Sequence, residues 1–66
     1  MVSAKLRTEN GLDRPDDVYN ALIDMHEGLS AEQSQVADAK LILLLANHVG
    51  DFEVLREAIA LARQGL

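Results

Sequence analysis

The side chains with the types to do chemistry are few: His26, His48, Tyr19, and the polar cluster Asn47-His48-Val49-Gly50-Asp51. Histidine serves both as metal ligand and as general base, so the two histidines come first. If the chain folds back at Gly28–Ser30, His26 lies beside the start of the following helix, near Ser34, and His48 lies at its far end. At ~1.5 Å per residue the two rings are then roughly 20 Å apart, so one metal within a chain cannot hold both. Only across an antiparallel dimer could they meet. Ordinary polar histidines at helix ends are the expected reading. Asn47, His48 and Asp51 form a candidate polar site at a helix–helix corner, able to offer hydrogen bonds to a ligand. Their structural role is the stronger expectation: Asn47 and His48 on the last carbonyls of one helix, Gly50 turning the chain, Asp51 capping the next.

Other chemistries lack their parts. There is no cysteine, which removes disulfides and thiolate metal sites, and Ser3, Ser30 and Ser34 have no spacing that pairs them with a histidine. Acids are plentiful, but a general acid needs a desolvating pocket, and a chain of 66 residues has little volume to build one. No glycine-rich phosphate loop or metalloprotease helix is present. No catalytic residue, cofactor or metal is therefore expected. Eleven acids against six bases give a net charge of −5, a field that repels nucleic acid and anionic membranes. A helix-turn-helix reading would turn Asp51, Glu53 and Glu57 toward phosphates, which Arg56 and Arg63 do not offset. Tyr19 and Phe52 are the only aromatics, too few for a base-stacking platform. With no signal-like N-terminus and no apolar run near the ~20 residues of a membrane span, a soluble, cytoplasmic protein is expected.

The elements that must position these groups read as all-α: a three-helix unit with an irregular N-terminal arm. Residues 1–14 form the arm, in which Val2, Leu6 and Leu12 are sparse apolar points, Asn10-Gly11 is a turn signal, and Lys5, Arg7 and Arg14 supply half the basic residues. The arm is either a loosely held terminus or a strap across an acidic face. Residues 15–66 form the helical domain, with helices over about 15–28, 30–49 and 51–64. Pro15 suits a first turn, Asp13, Asp16 and Asp17 suit the positive end of the helix dipole, and Gly28 suits a stop. Val18, Leu22, Met25 and Leu29 make the apolar stripe of the first helix. Ser30-Ala31-Glu32-Gln33 is a capping-box pattern opening the second. Asp51 caps the third, whose stripe is Phe52, Leu55, Ile59, Ala62 and Leu66.

The second helix poses the physical problem. Leu41 to Ala46 is an unbroken apolar run, and on a helix such a run is apolar on every side. Two short companions cannot cover it all round. Each large apolar side chain left in water forgoes roughly 1.5–3 kcal/mol, and two or three would rival the ~5 kcal/mol available to a domain this small. Association is the simplest remedy. The expected interface is Leu41, Ile42, Leu43, Leu44 and Leu45 with Phe52, Leu55 and Ile59, and the expected partner is a second copy or a larger protein.

Three segments, Leu12-Asp13-Arg14-Pro15-Asp16-Asp17-Val18-Tyr19, Gly28-Leu29-Ser30-Ala31-Glu32-Gln33-Ser34 and Ala46-Asn47-His48-Val49-Gly50-Asp51, resemble a small proteobacterial family of unknown function, domain-of-unknown-function family 2783. The likeness covers roughly residues 10–66. It implies no activity and no catalytic residues, and it implies a genetic setting among genes for aromatic-compound breakdown. Leu29, Ser30, Glu32, Gln33, Leu44, Gly50 and Leu55 also carry a weaker resemblance to the small helical subunit of protocatechuate 4,5-dioxygenase-type enzymes. That likeness implies a subunit covering an active site whose iron is held by a larger partner. The function expected is a non-catalytic helical interaction module, a homodimer or the accessory subunit of a larger enzyme. The alternative is a small enzyme or ligand-binding protein, with a site at a dimer interface near His48 and Asp51 or near His26 and Tyr19.

Overall fold

The computed structural model describes residues 6–66; Val2 and Lys5 of the arm lie outside the described residues. Three helices follow in order, α1 (Pro15–Met25), α2 (Ala31–Val49) and α3 (Phe52–Arg63), with no strand among the described residues. The protein is all-α, as its periodicity predicts.

Local chemistry accounts for each start and stop. Pro15 opens α1, and Arg14 before it takes the left-handed conformation (φ 58°), with its Nε donating to Asp17 Oδ2 at 2.7 Å. A residue preceding proline is disfavoured in the right-handed helical region, which helps explain why the helix begins here and not earlier. The helix ends at Met25, about one turn short of the expected Gly28. His26 N–H donates to the Ile23 carbonyl and Glu27 N–H to the Asp24 carbonyl, both at 3.1 Å. These i to i+3 bonds tighten the last turn before Gly28 reverses the chain at φ 79°.

The capping box at α2 is complete. Gln33 N–H donates to Ser30 Oγ and Ser30 N–H donates to Gln33 Oε1, each at 3.1 Å. At the far end Gly50 sits at φ 73° and its N–H donates to the Ala46 carbonyl at 2.9 Å. Asp51 then opens α3, its Oδ1 accepting from Glu53 N–H at 2.9 Å and from Val54 N–H at 3.4 Å.

Packing is far less complete than local structure. No described residue is buried; each is exposed or half-buried. The half-buried apolar positions are Leu6, Val18, Met25, Ala37, Leu41, Ala46, Val54, Leu55 and Ala58. α3 packs more closely on α2 than does α1. α1 is fastened to α2 by a polar contact, His26 to Asp38. The arm reaches α3 where Leu6 N–H donates to Glu57 Oε1 at 2.9 Å, a contact with an acidic side chain of the kind a strapped arm would make.

Two global quantities express the openness. The radius of gyration is 13.8 Å, against about 11 Å for a compact domain of this length. The accessible area is 5951 Å², against about 4,100 Å² for a folded monomer of this mass.

Candidate functional site

The surface left open by this arrangement is apolar and centres on α2. α2 is the least one-sided of the three helices and α3 the most. Ser34, Ala37 and Leu41 line the flank of α2 that is half-covered, while Val36, Ile42, Leu43, Leu44, Leu45 and Val49 stay exposed. Leu43 and Leu44 are 70% and 68% exposed, values expected of residues on an unpartnered face. On α3, Leu55 is half-buried, whereas Phe52 and Ile59 are 69% and 67% exposed. Of the eight expected interface residues, only Leu41 and Leu55 are half-buried within the chain. Val36 belongs to the same open surface but falls outside the apolar run by which the sequence draws attention to α2.

The polar groups do not gather into one site. Asn47 borders a shallow hollow with Lys40, Leu43 and Leu44. Neighbouring residues on a helix diverge by about 100°, so His48 leaves the axis in another direction. Neither side chain makes a hydrogen bond within the described residues, and the Ala46 carbonyl is met by the Gly50 N–H. The expected satisfaction of helix carbonyls by Asn47 and His48 is thus corrected: neither side chain reaches one, and the left-handed Gly50 meets that of Ala46. The Asp51 carboxylate is committed to the start of α3.

The His26 ring, just past the end of α1, meets the Asp38 carboxylate of α2. Its Nε2–H donates to Asp38 Oδ1 at 2.7 Å and its Nδ1–H to the Leu22 carbonyl at 2.9 Å. The Leu22 carbonyl and an ionised Asp38 only accept, so both contacts are hydrogen bonds at once when the ring is protonated on both nitrogens. The bond to Asp38, then that to the Leu22 carbonyl, raises its pKa above the ordinary value. Its neighbour on α2 is Asp38, one turn beyond the expected Ser34. Tyr19 is exposed on α1 and takes no part in this contact. Among the described residues, no group of three or more His, Asp or Glu comes together as a metal site would require. No helix among them is long and apolar enough to cross a membrane.

Fold and surface together define a small all-α protein with an open apolar flank. A family model described as "Protein of unknown function (DUF2783)" matches residues 6–64, and the chain belongs to that family. No curated protein and no solved structure matches it, so the dioxygenase-subunit likeness gains no support.

Proposed function

We propose that this protein is a non-catalytic helical interaction module that works as a homodimer, with α2 at the centre of the contact. The observation that carries the reading is the surplus of accessible area, about 1,800 Å² beyond what a folded monomer of this mass exposes. Two chains each covering that much would bury an area within the 2,000–5,000 Å² range of obligate homodimers. The apolar character of the surface suits an obligate contact, since such interfaces resemble a core cut in half.

An accessory role to a larger enzyme, including one acting on aromatic compounds, uses the same surface with a different occupant. The dimer is preferred because it needs no second gene product to relieve the exposed flank. The enzyme or ligand-site alternative, near His48 and Asp51 or near His26 and Tyr19, is less favoured because Asp51 is engaged as the cap of α3 and His26 by Asp38 and Leu22.

Light scattering on the full chain at micromolar concentration tests the dimer. The expected mass is twice the 7.2 kDa of one chain. A cooperatively folding 7.2 kDa monomer would remove the reading.

A further inference from the structure

The outer flank of α2 has a symmetry that specifies how a second copy would sit. At about 100° per residue, Val36, Ala39, Ile42, Leu43, Ala46 and Val49 form one stripe, roughly opposite the flank of Ser34, Ala37 and Leu41 that the chain half-covers itself. All of the stripe is exposed except the half-buried Ala46. Its members lie symmetrically about the midpoint between Ile42 and Leu43, and residue types match across it: valine with valine, alanine with alanine, isoleucine with leucine.

We infer that two copies pair antiparallel through this stripe, with a two-fold axis passing between Ile42 and Leu43. This rests on the dimer reading above and adds to it the face, the direction and the register. A two-fold contact is self-complementary, so residue i meets residue j of the partner while j meets i. In the antiparallel register, Val36 lies level with the partner's Val49, Ala39 with the partner's Ala46, and Ile42 with the partner's Leu43. The alanine layers let the helix backbones approach, and the Ile42–Leu43 layer fills the centre.

Charge selects the direction. A parallel pair sets Glu32, Asp38 and Lys40 each beside its own copy and aligns the two helix dipoles. The antiparallel pair opposes the dipoles, and brings Asp38 level with the partner's Asn47 and Lys40 level with the partner's Leu45. No like charges then face one another along α2, which matters for a chain carrying −5.

The native chain has no cysteine, so disulfide trapping reports the geometry directly. Val36→Cys and Val49→Cys are made singly and together, and the full-length variants are oxidised after light scattering in reductant. The expected result is a covalent dimer from the double variant and none from either single variant. Within one α2, and between two copies of either position in the antiparallel pair, the sulfurs are about 20 Å apart. A disulfide needs Cα atoms within about 7 Å. Val36→Cys alone cross-linking to itself would mean a parallel pair and overturn the inference. Dimeric mass with no cross-link in the double variant would move the contact to another face and also overturn it. Monomeric mass of the native chain would instead remove the underlying dimer reading, so the two failures are distinguishable.

Discussion

The two corners of this chain and the flanks of its longest helix are built to different degrees of completion. At Gly28–Ser30 and Gly50–Asp51 the chain's turning points are well supplied: a reciprocal capping box, a left-handed glycine and a carboxylate cap meet the helix ends. Along α2 the reverse holds, and the most apolar segment of the protein lies open. Backbone satisfaction is achieved within three or four residues of sequence, while burial of a helix apolar all round needs surface from elsewhere. The chain thus encodes its helices by itself, and under the proposed function its core is completed by association.

The sharpest way to break that contrast is to put a charge on the open flank. Leu43→Asp should leave the caps untouched and abolish association, because an unpaired carboxylate in an apolar contact costs several kcal/mol per copy. Light scattering should show a monomer. In the native protein the melting temperature should rise with protein concentration, as it does when folding and association are linked. An unchanged mass for Leu43→Asp would place the flank outside the interface.

The corners should respond more mildly, and without a change of partner. Gly50→Ala forces a side chain into a left-handed conformation (φ 73°), costing about 1–2 kcal/mol. Ser30→Ala and Asp51→Ala each remove a cap worth about 1 kcal/mol. Chemical denaturation should register these losses as lower midpoints at constant slope, and light scattering should still give the mass of the native protein. If a corner variant dissociates the protein at concentrations where it remains folded, corner and flank are not separable.

The same division explains what was legible in the sequence. Ser30 and Gln33, Asp51 and Glu53, and Gly50 act over one to four residues, so spacing alone reveals them. The end of α1 did not show, because Gly28 signals a stop without saying how many residues before it tighten into a turn. The partner of His26 was misplaced by one helical turn, Asp38 and not Ser34, since it depends on the length of that corner. That α3 packs more closely on α2 than α1 does depends on crossing angles, which no single-helix pattern contains. The dioxygenase likeness rested largely on a capped helix and a glycine corner, features that many helical chains share. Leu41 to Ala46 did announce an open surface, because an uninterrupted apolar run is apolar all round whatever packs on it.

The smallest effect expected is the most specific to the polar join between α1 and α2. His26 has a pKa above the ordinary histidine value, owing first to Asp38 and then to the Leu22 carbonyl. A group whose pKa is raised by folding binds its proton more tightly in the native state, so unfolding releases it over the interval between the two values. The contribution is present in full below the unfolded value of about 6.5, and it is lost as pH rises through the raised native value. Stability should therefore fall slightly across that window. His26→Gln, which can still donate one bond but does not titrate, should flatten the slope, and Asp38→Asn should bring the native His26 titration, followed by NMR, down toward the unfolded value. The join is partly open to solvent, so the effect should be modest and weakened by salt. A native His26 titration already at the unfolded value would mean that the ring does not bridge the helices in solution. α1 would then be tied to the rest of the chain by little beyond its connecting corner.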